Sequence, residues 1–392
     1  MRLAMKMIIV HICLTGGYTE GIGYQENYLT KYQALDGHEV HLITTQYCWH
    51  ENIWGLCKES EYKNQYGVHI VRLPYKFILP YKINTYLGWF KGLYNQLCMI
   101  KPNIIFIHNL QFQDIKLIRK YKQVYPSVKI FVDNHTDFYN SAKNWIAKNV
   151  LYKIWWKYCA KTIEASTEKF YGVLPARVDF LKDVYGLPAD KIELLVMGAD
   201  DEEVVKAKTS GIRKILREKH GITDTEVLIL TGGKIDSNKL EVLTLMRAFI
   251  AMNRPNVKLM IFGSVMNSLK EEFDKLQKNK NIIYIGWVKA NEIYGLFEAA
   301  DLVVFPGLHS VLWEQAVGTG KACIFRKIES FDHIDLKGNC RYFSSLTSEG
   351  MERVLNAVIE NNEINSMQKV AEKRGVKYFS YHDVARRSIT ES

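Results

Sequence analysis

The chain has 392 residues, 47% of them hydrophobic, enough for two domains with separate cores. Its 52 basic and 42 acidic residues give a formal net charge of +10, which suits nucleic acid, an anionic membrane or a phosphorylated substrate, and equally a plain soluble protein of high pI. Seven scattered cysteines without a C-x-x-C pair argue against a disulfide scaffold or zinc site and for a reducing compartment, and no apolar run is long enough for a spanning helix.

The first apolar run, Met5 to Cys13, is interrupted by His11 and lacks a small-residue cleavage site, so it reads as a strand and not a signal peptide. Gly16-Gly17 and then Gly21 and Gly23 follow, leading into a helix from about Tyr24 to Leu35 that Asp36-Gly37 closes. Such glycine loops let backbone N–H groups approach a phosphate or sugar, though they also make ordinary tight turns. Glu39–Thr44 and Val68–Leu73 are the next strands. Tyr75 to Lys101 mixes Tyr, Phe, Trp and Lys, and is broken by Pro80 and Gly88. Asn103–His108 and Val128–Asp133 are apolar strands, ending at His108-Asn109 and at Asn134-His135-Thr136-Asp137. Open parallel sheets bind ligands beyond the carboxyl ends of their strands, which singles out His108, Asn109, His135 and Asp137. Asn144 to Glu168 reads as a helix with Lys153, Lys157 and Lys161 on one face and Trp145, Tyr152 and Trp156 on another. Phe170–Leu174 and Ile192–Val196 complete the first half.

A charged segment from Asp200 to His220 leads into the second half. Glu226–Thr231 is a strand followed by Gly232-Gly233-Lys234, then Lys239 and a helix with Leu240, Leu243, Met246 and Ile250 on its apolar stripe. Val257–Phe262 ends at Gly263-Ser264, and Asn281–Ile285 ends at Gly286-Trp287-Val288. After a helix at Asn291–Ala300 comes DLVVFPGLHSVLWEQAVGTGKACIF, Asp301 to Phe325. Here the strand Leu302–Phe305 is broken by Pro306-Gly307, His309-Ser310 open a helix carrying Glu314, Gly318 and Gly320 end it, and Ala322–Phe325 is another strand.

This last stretch resembles the nucleotide-binding signature of retaining GT-B glycosyltransferases of the family-4 type. Glu314-Gln315-Ala316 with Gly320-Lys321 matches its second half, whereas Pro306 stands eight residues before Glu314 where the pattern has a first Glu, and His309-Ser310 fill that place. The opening strand, glycine loop and helix, and the turn Met197-Gly198-Ala199-Asp200, resemble the same family. The resemblance implies an α/β chain of two Rossmann-like domains facing a central cleft: residues 1–200 for the acceptor, 201–377 for the nucleotide sugar, and 378–392 crossing back to the first. It implies that Glu314 accepts the ribose hydroxyls, that Lys234 and Lys239 hold the diphosphate, that the backbone at Trp287-Val288 meets the base, and that His135, with Asp137 close by, lines the donor sugar. Lysine supplies charge there without the two-pronged fork of arginine.

Departure of a nucleoside diphosphate builds negative charge that a metal, fixed cations or N–H groups must hold. No two aspartates stand two apart, so Lys234, Lys239 and the glycine loops are the available substitutes, and the expectation is a metal-independent transferase without a cofactor. Expected partners are a nucleotide sugar, with UDP favoured, a glycan or polyprenyl-linked acceptor of envelope or capsule polysaccharide synthesis, and an anionic membrane face, but not nucleic acid. The expected location is cytoplasmic, peripheral on the inner membrane face. A sugar-nucleotide 2-epimerase of the same fold, or a non-catalytic partner protein, are the alternatives that the missing first Glu keeps open.

Overall fold

The computed structural model describes residues 6–50, 53–137, 147–237 and 240–390. The chain divides into two compact units, one of Met1–Val196 with Val384–Ser392, the other of Met197–Asp383.

The strands of the first unit are β1 (Ile8–Cys13), β2 (Glu39–Thr45), β3 (Tyr47–His50), β4 (Ile53–Leu56), β5 (Glu61–Lys63), β6 (His69–Leu73), β7 (Ile104–His108), β8 (Lys129–Asn134), β9 (Lys169–Gly172) and β10 (Ile192–Leu194). Eight form one sheet in the order β10-β9-β8-β7-β1-β2-β6-β5, parallel except for the β5–β6 edge. Every residue of β7 and all but the first of β1 are buried. A parallel sheet covered on both faces requires such continuous apolar runs. The chain builds outward from β1 on one side and from β7 on the other, so its direction of winding reverses between them. Ligands of doubly wound sheets bind at that reversal. The register sets His108 beside Asp133 and His11 beside Phe106.

In the second unit β11 (Val227–Gly232), β12 (Val257–Phe262), β13 (Ile282–Gly286), β14 (Leu302–Phe305), β15 (Ala322–Arg326) and β16 (Cys340–Phe343) form an all-parallel sheet in the order β13-β12-β11-β14-β15-β16. Its reversal lies between β11 and β14. The helix Glu241–Met252 covers this sheet through Val242, Leu243, Leu245 and Met246, while Leu240 stays exposed.

Several segments differ from the sequence reading. The charged stretch after Asp200 is two helices of the second unit, Asp201–Thr209 and Ile212–Lys219. Asp200 caps the first by accepting from the Glu202 N–H, and acids fill its first turn, which favours helix over linker. Arg213 and the buried Arg217 both grip Asp301 just before β14, tying the second helix to the sheet. Tyr75–Lys101 contains two short helices, Tyr81–Leu87 and Leu93–Ile100, separated where Gly88 and Gly92 take positive φ. The hairpin β3–β4 was not anticipated, and it corrects the cysteine reading. Its antiparallel pairing sets Cys48 opposite Gly55 and brings Cys57 to a Cα distance of 5.8 Å, where the two cysteines are joined as a disulfide. Cys13, Cys98, Cys159, Cys323 and Cys340 are free thiols. Among the described residues no helix is long and apolar enough to cross a membrane. The final helix, Tyr381–Arg387, starts in the second unit, and its last turn packs in the first, where Arg386 makes a two-pronged ion pair with Asp36.

Candidate active site

Each unit gathers chemistry at the carboxyl edge of its sheet. In the first unit, Gly16 is exposed after β1 and Gly21 takes φ 74°. Gly17 is buried under the β3–β4 hairpin, where an added Cβ would fall 2.0 Å from the Tyr47 carbonyl and 2.5 Å from the Trp54 ring. Close packing therefore requires the glycine at 17, whatever binds nearby. At 23, a Cβ would lie 3.0 Å from the Tyr28 hydroxyl.

Beyond β7 and β8 stands a connected polar cluster. Asp133, fully buried, accepts at Oδ2 from His108 Nδ1 at 2.8 Å and from His135 Nε2 at 3.2 Å, and at Oδ1 from the Asn109 N–H at 3.1 Å. Asn109 takes φ 67°, a left-handed conformation asparagine tolerates, and its Oδ1 accepts from the His135 N–H at 2.8 Å. The loop after β8 is thus locked to the loop after β7, and the His135 side chain, 26% exposed, stands at the surface of the cluster. Burial would raise the Asp133 carboxyl, but His135 and His108 outweigh it and hold it well below the usual carboxylate range. Asp137 does not join this cluster; it pairs with Arg177 Nε at 2.9 Å.

In the second unit, Gly233 and Gly263 meet back to back at the ends of β11 and β12, both at φ 111°. A Cβ on Gly263 would lie 1.9 Å from the Gly233 carbonyl, so neither a side chain nor a non-glycine backbone fits there. Lys234 extends into solvent, its side chain 76% exposed and 4.0 Å from Asp236. Lys239 lies outside the described residues. Trp287 is 70% exposed at the end of β13, with Val288 half-buried behind it.

Glu314 is the most enclosed of these groups, with no exposure at all. Its carboxylate accepts from His309 Nε2 at 2.9 and 3.1 Å and from His333 Nε2 at 2.7 Å. Burial pushes this carboxyl up, yet the two histidines prevail and hold it down at about 2. His309 packs on Trp313 and Phe331, and Ser310 accepts the Trp313 N–H in the first helical turn. Lys321, in the turn before β15, is buried against Glu298 at 3.0 Å and so fastens the scaffold.

Two histidines and a carboxylate with ligand atoms within 4.8 Å have the composition of a divalent-metal site, and His309, Glu314 and His333 also complete one another as a hydrogen-bonded ion cluster. In the first unit His108 has both nitrogens engaged, by Asp133 and by His11, which leaves none for a metal.

The structure therefore collects His108, Asn109 and His135 at one edge, and Gly233, Gly263, His309, Ser310 and Glu314 within the other unit. Sequence reasoning passed over four members: Asp133 and His333, which hold the expected residues, and His11 and Gln33, which lie behind them. A histidine inside an apolar strand, as at 11, was the available sign, since a buried imidazole needs partners.

The sequence profile of the family "Glycosyl transferases group 1" matches residues 212–374. An uncharacterized glycosyltransferase of Methanocaldococcus jannaschii is 28% identical over 130 residues, 32% of this chain. The alignments span about a third of the length of the curated relatives, 33% of each. Among solved structures, a glycosyltransferase from Rickettsia africae superposes with a TM-score of 0.69 at 15% identity, covering 98% of this chain and 97% of that one. Anabaena HepE, solved in complex with UDP, gives 0.67 at 14% identity over 98% of both chains. Both likenesses are of fold. With two doubly wound units in this order, the chain has the GT-B fold, and its residues 212–374 match the glycosyl transferases group 1 profile.

Proposed function

We propose that the chain transfers a sugar from a nucleoside diphosphate donor, with UDP favoured, to a glycan or lipid-linked acceptor of envelope polysaccharide synthesis, with retention and without a metal. The observation that carries this reading is the group of strand-end features inside the matched domain: the Gly233–Gly263 contact, the exposed Lys234 and Trp287, and the buried His309–Glu314–His333 set. Lys234 supplies charge for a diphosphate at the end of β11, and Trp287 offers a face to a base. The fold neighbour solved with UDP supports the nucleotide class. Glu314 serves the ribose through the imidazoles it holds, and His135 of the first unit contacts the donor sugar.

The membrane-side reading rests on the first unit. Phe77, Ile78, Leu79, Ile83 and Tyr86 are exposed, and Trp155, also exposed, donates its indole N–H to the Tyr86 carbonyl at 3.2 Å. Lys82, Lys91 and Lys153 are exposed nearby in sequence. Aromatic and basic side chains together suit an anionic interface.

A thermal-shift screen against UDP-, GDP-, ADP- and dTDP-sugars tests the donor reading, because a ligand of the folded state raises the melting temperature. A UDP-sugar should give the largest shift and a glycosylated product with an acceptor. No shift with any of the four would overturn the reading, and a 2-epimeric sugar nucleotide formed without acceptor would favour an epimerase.

A further inference from the structure

Behind His135 the hydrogen bonds continue into the interior of the first unit. His108 Nε2 faces His11 Nδ1 at 3.0 Å, and His11 Nε2 faces Gln33 Oε1 at 2.7 Å. Gln33 Nε2 donates to Ser388 Oγ at 3.1 Å and to the Ala385 carbonyl at 3.4 Å. His11, Gln33 and Ser388 are all buried, so no solvent substitutes for a missing partner.

With the Gln33 amide as the structure orients it, the proton positions along this chain follow in order. The Ser388 hydroxyl gives its single hydrogen to the Ala385 carbonyl at 2.7 Å, so towards Gln33 it can only accept. Turning the Gln33 amide over would set its oxygen against the Ala385 carbonyl at 3.4 Å and cost the Ser388 hydroxyl its 2.7 Å bond to that carbonyl, so the orientation seen is the favoured one. The amide oxygen therefore faces His11, and His11 Nε2 carries a proton. One proton lies between His11 Nδ1 and His108 Nε2, and His108 Nδ1 carries one for the Asp133 carboxylate. The four nitrogens of the two rings then hold three protons, one more than two neutral imidazoles have.

We propose that this extra proton makes His108 a standing imidazolium, set by His11, Gln33 and Ser388, and that the His108–Asp133 ion pair orients His135 without requiring His135 to be charged. The charge sits on His108 because Asp133 is its neighbour. Burial and the proximity of His108 hold His11 down to about 3. For His108, burial works against the charge, but Asp133, with a lesser contribution from Glu26, outweighs it and raises the ring above the ordinary histidine value. The titratable and charged groups facing His108 are thus His11 on β1, Asp133 on β8, His135 just beyond β8, which shares that carboxylate, and Glu26 on the first helix. His108, His11 and Gln33 are positioning residues, and their bearing on turnover rests on the reading of His135 as a donor-sugar contact.

Nitrogen NMR of the full chain labelled at histidine tests the protonation by itself. His108 should show two protonated ring nitrogens, and His11 one, from about pH 6 to about pH 9. A His108 with one bare nitrogen at about pH 8 in the folded chain would overturn the proposal. In Gln33→Met the acceptor is lost, His11 moves its proton to Nδ1, and His108 becomes neutral. Unchanged His108 signals in a folded Gln33→Met also count against it, and should that variant not fold, the wild-type spectrum still decides. With donor and acceptor in hand, Gln33→Met should lower kcat about tenfold and move its pH profile while leaving donor KM near the wild-type value. If the spectra agree and kcat stays unchanged, the protonation stands and the link to His135 fails.

Discussion

At the scale of single residues, the strongest constraint is that Glu314 is buried and already bonded to two imidazoles. Replacing it with alanine would strand both histidines, so Glu314→Gln is the cleaner probe. If the cluster serves the ribose, Glu314→Gln should weaken donor binding tenfold or more, about 1.4 kcal/mol, in titration calorimetry. The same residue gives stability a signed pH dependence. The folded carboxyl lies at about 2 against an ordinary 4.5, so its contribution is present above pH 4.5 and lost as pH falls towards 2. It is worth up to about 3 kcal/mol. His11 adds a loss in the same direction at higher pH. Its ring is buried neutral, with a folded value of about 3 against an ordinary 6.5, so the unfolded chain takes the proton first as pH drops below 6.5. Between pH 7 and 5.5 the raised His108, already protonated in the folded chain, offsets the loss from His11, so melting temperatures should fall mainly from pH 5.5 to 4, and Glu314→Gln should remove part of the drop below 4.5 only. For the cluster as a whole, EDTA distinguishes its two chemistries. Transfer that survives EDTA fits the hydrogen-bonded ion cluster, and transfer lost in EDTA and restored by manganese or zinc marks a metal held by His309, Glu314 and His333.

At the scale of elements, most strands were legible in the sequence because parallel strands buried on both faces must be apolar throughout. β7, β8, β12, β14 and β15 are of this kind, and they place the expected strand-end residues. The hairpin β3–β4 was not legible. Tyr47–His50 and Ile53–Leu56 carry His50 and Gly55 and lie outside both sheets, so neither periodicity nor apolar continuity marked them. Partner residues were hidden for another reason: His11 and Asp133 matter through contacts set by register between strands far apart in sequence, and spacing along the chain does not show register. The hairpin carries its own test. Its disulfide closes a loop across a sequence separation of 9, for which chain entropy gives about 2.5 kcal/mol. Thiol titration of the denatured, unreduced chain should count five free cysteines, and Cys48→Ser should lower the melting temperature and quicken proteolysis within 47–56.

At the scale of the whole molecule, the net charge of +10 bears on the membrane reading of the first unit. Anionic vesicles should sediment the protein at low salt and release it as the Debye length shrinks to about 3 Å at 1 M. Ile78→Glu with Trp155→Glu should abolish sedimentation without changing the melting temperature by more than a degree or two. Equal, negligible binding to anionic and neutral vesicles would remove the membrane reading. The connectivity of the molecule has a further consequence, for how it is made. The first unit is discontinuous: its last piece, Val384–Ser392, is separated from the rest by all of Met197–Asp383. A ribosome adding on the order of 10 residues per second delivers that piece some 20 seconds after Val196. Until then Asp36 lacks Arg386, and the Gln33 amide lacks the carbonyl and hydroxyl that fix which way it faces. The nascent first unit can form its sheet early, but the proton count of its buried histidines is settled only by the final turn of chain. A stop codon after Asp383 would therefore yield a protein with every strand in place and the wrong charge under His135.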